Sequence, residues 1–158
     1  MKPLLVLCLG NEIISDDGFG PVVAKRLNEQ GDLAVRVDIL FAPVAGFQLI
    51  DLLRGREKVL IVDTIRTGQV APGTLHSFPA GALSPSNHLT TSHQISLPTA
   101  LELGKRLSLD MPQVIDVIAV EAEDLETLGE ELSPSVRSAV DDALVLIENW
   151  IFRNTVEE

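Results

Sequence analysis

The stretch that decides the fold begins with a short apolar run and continues into a polar turn. From residue 4 to residue 20 it reads Leu4-Leu5-Val6-Leu7-Cys8-Leu9-Gly10-Asn11-Glu12-Ile13-Ile14-Ser15-Asp16-Asp17-Gly18-Phe19-Gly20. The apolar run predicts a buried strand, and the helical spacing of apolar residues from Val22 to Leu27 predicts a helix after the turn. The stretch is therefore a strand-to-helix turn that carries two adjacent carboxylates, Asp16 and Asp17.

Two neighbouring Asp side chains in such a turn require an explanation. In open α/β sheets, ligands bind in the loops at the carboxyl ends of the strands. Two carboxylates there repel each other unless a cation or a proton offsets the repulsion. Asp16 suits the alternative role of capping the following helix, which Asp side chains favour. Asp17 is harder to explain as a cap, so it is the stronger candidate for a site.

The rest of the chain alternates predicted strands and helices. The predicted strands are Leu33 to Phe41, Lys58 to Val62 followed by Asp63, Leu75 to Phe78, and Val114 to Val120; the predicted helices are Gly46 to Leu53, Ile95 to Leu107, and a last helix after Ser133-Pro134. This alternation predicts an α/β fold: a three-layer sandwich with a twisted, mostly parallel sheet of about five strands and helices on both faces. We expect one domain over residues 1–158, with the second strand next to the first.

Composition narrows the classes of function. The chain has 158 residues, 46% of them hydrophobic, and a formal net charge of −11. Such an acidic chain argues against a nucleic-acid partner and is compatible with a cationic ligand or a basic peptide. No apolar run is long enough to cross a bilayer, and no signal peptide is indicated. Cys8 is the only cysteine and is expected to be a buried, inert thiol.

Three candidate ligands follow predicted strands or open a helix. The chain lacks the Gly-x-Ser-x-Gly turn, the His-Glu-x-x-His helix and the phosphate-binding loop, which removes support for those enzyme classes. Carboxyl ends of parallel strands meet at one edge of a sheet, so Asp17, Asp63 and His93 could share one cleft. Two carboxylates and an imidazole suit Ni²⁺, Zn²⁺, Mn²⁺ or Fe²⁺. The alternatives are that Asp63 caps a turn and that His93 bonds to the loop backbone.

The other two histidines, His76 and His88, are expected to be exposed rather than bound to metal.

At this point the motifs resemble those of a known family, the nickel-iron hydrogenase maturation endopeptidases. The resemblance runs in register over nearly the whole chain. The matching motifs are Gly10-Asn11, Asp16-Asp17-Gly18-Phe19-Gly20, Ala45-Gly46-Phe47-Gln48-Leu49, Ile61-Val62-Asp63, Ala71-Pro72-Gly73-Thr74, Ser92-His93-Gln94 and Leu132-Ser133-Pro134.

The resemblance implies an endopeptidase that removes a short C-terminal extension from a hydrogenase large-subunit precursor after nickel insertion. It also implies a cytoplasmic protein, for which a monomer is the default expectation. It implies a nickel site on Asp17, Asp63 and His93, with the nickel supplied by the substrate and with Zn²⁺ or another divalent ion able to substitute. The ion would serve as the recognition signal. Two roles in the reaction stay open: it polarises the scissile carbonyl or lowers the pKa of a bound water, or it only positions the peptide. In the alternative mechanism, carboxylates activate water directly, with Asp16 and Asp63 as candidates and Asp17 retained in the catalytic set.

One segment departs from the family pattern. Where many members carry Asp-Gly-Gly-Thr before Ala-Gly, this chain has Phe41-Ala42-Pro43-Val44. The segment borders the expected cleft, so the departure leaves the identity of the cognate hydrogenase open. The three ligand positions are unaffected.

Two rival functions share part of the pattern. A phospho-receiver domain also places acids after its first strand and an Asp at the end of its third. It needs a Lys at the end of its last strand, however, and here Val120 is followed by Glu121-Ala122-Glu123-Asp124. A non-catalytic nickel chaperone using the same three ligands is the second rival.

Overall fold

The centre of the protein is a five-stranded sheet, seen in a computed structural model that describes residues 1–44, 46–83 and 97–155. In chain order the elements are β1 (Leu4–Leu9), α1 (Phe19–Asn28), α2 (Gly31–Arg36), β2 (Asp38–Ala42), α3 (Gln48–Leu53), β3 (Lys58–Ile65), β4 (Leu75–Pro79), α4 (Leu97–Arg106), β5 (Val114–Glu121) and α5 (Pro134–Thr155). The strand order is β2-β1-β3-β5-β4, and only the edge strand β4 runs antiparallel to its neighbour. This confirms the predicted mostly parallel sheet, with β2 beside β1.

Two apolar clusters cover the two faces of the sheet and make the three-layer sandwich. The first cluster joins one face to α1, α2 and α5, and the second joins the other face to α3 and α4. Helix α5 contributes the stripe expected from its sequence, all of it buried: Val136, Val140, Leu144, Ile147 and Ile151. Helices therefore lie on both faces, as predicted.

The central strands are apolar throughout because both of their faces are covered. Every residue of β1 is buried, and so is every residue of β3 after Lys58. Strand β3 continues two residues beyond Asp63, because its pairing with β5 extends to Ile65 opposite Glu121. Asp63 therefore lies within the strand, near its end, rather than directly after it.

The prediction of a strand from Leu33 to Phe41 is wrong in its first half. Helix α2 occupies Gly31–Arg36, and the strand begins only at Asp38. Leu33 is 3% exposed and packs into the first cluster, whereas Val35 is 78% exposed. In so short a segment, apolar residues at every second position are compatible with a strand and also with one or two turns of helix. Here the helix forms, and Leu33 is its one buried residue.

The four parallel strands β1, β2, β3 and β5 all end at one edge of the sheet, which we call the carboxyl edge. The segments that follow them begin at residues 10, 43, 66 and 122. Ligand sites of open α/β sheets form in such loops. None of the helices in the described parts of the chain combines the length and apolar character needed to span a membrane.

Candidate functional site

The two predicted carboxylates Asp17 and Asp63 both lie at the carboxyl edge, and each accepts a hydrogen bond from Thr64. The Thr64 N–H donates to Asp63 Oδ1 at 2.7 Å, and the Thr64 hydroxyl donates a long hydrogen bond of 3.4 Å to Asp17 Oδ1. Successive side chains of a strand point to opposite faces. Asp63 therefore lies on the face of the second cluster and Thr64 on the face of the first. Thr64 thus connects the two carboxylates: its backbone N–H bonds to Asp63, and its hydroxyl bonds to Asp17.

The turn that presents Asp17 depends on two glycines of the opening motif. Gly10 has φ of 148°, and a Cβ there would lie 2.1 Å from the carbonyl oxygen of Asp17. That oxygen accepts a hydrogen bond of 3.0 Å from Asn11 N, which closes the turn. A Cβ on Gly20 would lie 2.0 Å from the Leu9 carbonyl oxygen. The two glycines therefore let the turn fold back on itself and let α1 begin against the end of β1.

The Asp16 carboxylate is completely buried and accepts hydrogen bonds from residues that follow β5. Its Oδ1 accepts from Ser133 N at 2.8 Å. Its Oδ2 accepts from Glu123 N at 2.9 Å, from Asp124 N at 2.7 Å and from the Ser133 hydroxyl at 2.9 Å. No side chain caps α1, whose first flanking residue is Gly18. The prediction that Asp16 caps the following helix is therefore wrong: it holds a distant segment instead.

That segment, residues 122–133, forms a wall beside the turn and is called the wall segment below. Asp16 N donates to Asp124 O at 3.0 Å, and Ser15 N donates to Gly129 O at 3.0 Å. The Ser15 hydroxyl donates to Glu131 O at 3.2 Å. Ser15 has a positive φ of 26°, a costly conformation for a residue with a side chain. These contacts hold the strained turn, so the wall segment and the Asp17 turn form one unit.

A third buried carboxylate beside Asp16 and Asp63, that of Glu121, ends β5 at the same edge and fixes the start of the loop after β3. Its side chain accepts hydrogen bonds from Thr67 N at 2.8 Å, from the Thr67 hydroxyl at 2.5 Å and from Gly68 N at 3.4 Å. His76 Nε2 on β4 lies 3.2 Å from Glu121 Oε1. Burial raises the pKa of the Glu121 carboxyl, but these hydrogen bonds outweigh burial, so its pKa lies below its usual value.

The lowered pKa of Glu121 predicts a loss of stability in acid. A carboxyl whose pKa is lower in the folded state stabilises the fold above its unfolded pKa, and this contribution is lost as the pH falls through the folded value. We expect Glu121→Gln to lower the free energy of unfolding by about 2 kcal/mol at pH 7. The difference in the free energy of unfolding between the variant and the unaltered protein should shrink as the pH falls below about 4.5. Urea unfolding of both proteins between pH 7 and pH 3 measures it. A difference that stays constant with pH would contradict this assignment.

One of the three histidines, His76, lies among the residues that the structure describes. His93, the third predicted ligand, and His88 lie outside the described residues. His76 is partly buried in its pair with Glu121, so the expectation that it is exposed is wrong. Within residues 1–44, 46–83 and 97–155, no three His, Cys, Asp or Glu side chains form a group that could hold a metal ion. Two of the three predicted ligands, Asp17 and Asp63, are thus described, and they lie beside one residue.

Cys8 is the buried thiol that the sequence predicted. Burial raises its pKa far above the usual value, and the negative charge of Asp63 raises it further. The thiol therefore stays protonated, and a nucleophilic role for Cys8 is not supported.

Sequence reasoning missed the residues that support the candidate site. Thr64 links the two carboxylates, and Glu121 and Ser133 bond to parts of the same edge. A signal existed for Glu121, because it ends a strand at the carboxyl edge as Asp63 nearly does. No local signal marks Ser133 as a partner of Asp16, since the two are 117 residues apart.

Comparison with known proteins gives one consistent family. The family model described as "Hydrogenase maturation protease" matches residues 21–150. The chain is similar to the "Hydrogenase 2 maturation protease" of Escherichia coli, with 29% identity over 150 residues that cover 89% of this chain and 85% of that protein. It is also 30% identical over 148 residues to the "Hydrogenase expression/formation protein HupD" of Rhodobacter capsulatus, which covers 89% of this chain and 67% of that protein.

Solved structures agree with the sequence relatives. The "[NiFe] hydrogenase maturation protease HybD" from Thermococcus kodakarensis superimposes with a TM-score of 0.71 and 26% identity, covering 96% of this chain and 99% of that one. The E. coli hydrogenase maturating endopeptidase HybD superimposes with a TM-score of 0.73 at 24% identity and shows the same fold, covering 98% of this chain and 94% of that one. The chain therefore belongs to the hydrogenase maturation protease family, a family of peptidases.

Proposed function

We propose that this peptidase removes a C-terminal extension from the large-subunit precursor of a nickel-iron hydrogenase once nickel has been inserted. The observation that carries the proposal is the contact of two carboxylates with Thr64 at the carboxyl edge. Asp17 is partly exposed there, and Asp63, within β3, is completely buried. Two oxygen ligands at one edge suit a divalent ion that arrives already held by the precursor.

In this proposal, Asp17, Asp63 and His93 contact the nickel of the precursor, and the metal is part of the substrate. Recognition of the ion would restrict cleavage to precursor that has received its metal. The bound ion can polarise the scissile carbonyl or lower the pKa of a water next to it. The alternative, in which Asp16 or Asp63 activates water directly, is less favoured for Asp16. Its two oxygens already accept four hydrogen bonds and have no exposure to solvent.

The test is cleavage of one precursor in two metal states. Purified protein is incubated with nickel-loaded and with nickel-free large-subunit precursor, and the intact mass of each product is measured. We expect a single cut in the nickel-loaded precursor only. Cleavage of both forms would reject nickel recognition. Binding of the loaded form without any cut would favour the non-catalytic nickel chaperone. Cytoplasmic location and a monomeric state stay predictions, which cell fractionation and sedimentation would check.

A further inference from the structure

The acidic residues of this chain are concentrated at the carboxyl edge. Three segments meet there: residues 11–17, residues 63–73, and residues 121–133. Together they contain one cation, Arg66, out of 12 in the chain. They contain ten of the 23 acidic residues: Glu12, Asp16, Asp17, Asp63, Glu121, Glu123, Asp124, Glu126, Glu130 and Glu131. The edge that carries the candidate site is therefore strongly anionic.

The opposite edge of the sheet has no comparable excess of negative charge. Seven cations lie where the chain leads into the parallel strands: Lys2, Arg36, Arg54, Arg56, Lys58, Lys105 and Arg106. Seven acidic residues lie there too, and two of them, Asp51 and Glu102, pair with Arg54 and Arg106. The seven are Glu29, Asp32, Asp38, Asp51, Glu57, Glu102 and Asp110. The net charge of −11 thus arises mostly at one end of the molecule. Such a field attracts a basic partner to the carboxyl edge and orients it there.

A groove runs along the wall segment within this anionic surface. Its volume is about 780 Å³, and its lining includes Ser15, Leu128, Leu132 and Pro134. Four acidic residues also line it, namely Glu123, Asp124, Glu130 and Glu131. Leu128 is 78% exposed on a segment that is otherwise rich in charge, and Ile13 of the neighbouring turn is also exposed. We call this feature the wall groove.

The wall groove is held in place by hydrogen bonds and directly adjoins the turn that carries Asp17. Gly129 N donates to Ile13 O at 2.9 Å, and Asp17 N donates to Ile14 O at 2.8 Å. The side chain of Ile13, on the same turn, is 57% exposed. Because the Asp16 carboxylate fixes the wall segment, exposure of Leu128 is not the result of a loose loop.

We infer that the wall groove is the docking surface for a basic segment of the hydrogenase large-subunit precursor, with Leu128 packing against an apolar side chain of that segment. The inference rests on the proposed function and adds a surface outside the three proposed ligands. Apolar contact with Leu128 supplies affinity, since apolar surface that a partner removes from water favours binding. The acidic rim speeds and orients the encounter.

The first test removes the apolar contact. Leu128→Ser is compared with Leu107→Ser, a control at the end of α4 whose leucine is 59% exposed and lies far from the carboxyl edge. With nickel-loaded precursor, Leu128→Ser should raise KM about tenfold and leave kcat within about twofold. Leu107→Ser should match the unaltered protein. Equal KM values for the two variants would overturn the role of Leu128.

The second test removes charge from the rim. The double variant Glu130→Gln with Glu131→Gln is compared with Glu29→Gln with Glu57→Gln, which removes the same charge from exposed positions away from the carboxyl edge. The rim variant should raise KM at low salt and weaken the dependence of KM on ionic strength, because exposed charges are screened by salt. The control should keep the salt dependence. A rim variant with unchanged KM and salt dependence would overturn the electrostatic part of the inference.

Failure of the inference and failure of the proposed function give different results. If the unaltered protein cuts the precursor and all four variants match it, the wall groove is rejected and the proposed function stands. If the unaltered protein binds the precursor without cutting it, the proposed function is rejected, and the same variants decide the wall groove by their dissociation constants. If it neither binds nor cuts the precursor, both are rejected.

Discussion

Asp63→Asn is expected to lower the rate of precursor cleavage about a thousandfold without unfolding the protein. A metal ion or an activating carboxylate supplies several kcal/mol to such a reaction, and each 1.4 kcal/mol is worth about tenfold in rate. The amide of Asn keeps an oxygen that can accept the hydrogen bond from Thr64 N, so the end of β3 should stay in place. The substitution removes the negative charge and replaces the other carboxylate oxygen by an NH₂ group.

The measurement is single-turnover cleavage of nickel-loaded precursor, with circular dichroism melting as the check on folding. Asp51→Asn is the matched control, because its side chain is 77% exposed on α3. That control should cleave at the rate of the unaltered protein. If Asp63→Asn retained more than a tenth of the normal rate, Asp63 would be neither a nickel contact nor the group that activates water.

The same variant separates the two roles proposed for Asp63. If the carboxylate contacts nickel, Asp63→Asn should lose the difference in affinity between nickel-loaded and nickel-free precursor. If it only activates water, that difference should persist while the cleavage step fails. Measuring the affinity for both forms by calorimetry therefore decides between the roles independently of the rate.

The parts of the structure that the sequence predicts well are those governed by local pattern. The continuous apolar runs of β1 and β3 predict buried strands. A strand covered by helices on both faces has apolar residues at every position, without the alternation of apolar and polar residues seen in a half-exposed strand. The placement of Asp17 and Asp63 follows from the rule that parallel strands end at one edge. The wrong strand near Leu33 shows the limit, since a short alternating pattern also fits one helical turn packed against the core.

The contacts that complete the site are not local and could not be predicted. Asp16 bonds to residues 107 to 117 positions further along the chain, and no periodicity or motif relates those positions. Thr64 was overlooked because its role depends on the opposite directions of neighbouring side chains in a strand. The position of His93 relative to both carboxylates stays a prediction, since it lies outside the described residues.

Asp16→Asn is expected to destabilise the protein by about 3–5 kcal/mol, the cost of breaking a buried charged hydrogen-bond network. A carboxylate only accepts hydrogen bonds, and Asp16 receives four. An Asn side chain replaces one acceptor by an NH₂ group. In one orientation that group faces Ser133 N, and in the other it faces Glu123 N and Asp124 N. Either way donors oppose donors, so Asn does not substitute as it would at an ordinary helix cap.

Thermal unfolding and cleavage kinetics, measured on the same samples of Asp16→Asn, separate three roles of Asp16. If Asp16 anchors the wall segment, the melting temperature should fall by about 10 °C and KM should rise, because the wall segment detaches from the Asp17 turn. If Asp16 were catalytic, kcat should collapse while melting temperature and KM hold. If it were a simple cap, neither should change. Asp17→Asn is the control: it should keep a higher melting temperature than Asp16→Asn while cleavage weakens, because Asp17 is partly exposed whereas Asp16 is completely buried. A normal melting temperature for Asp16→Asn would show that the wall segment is held by its backbone contacts alone.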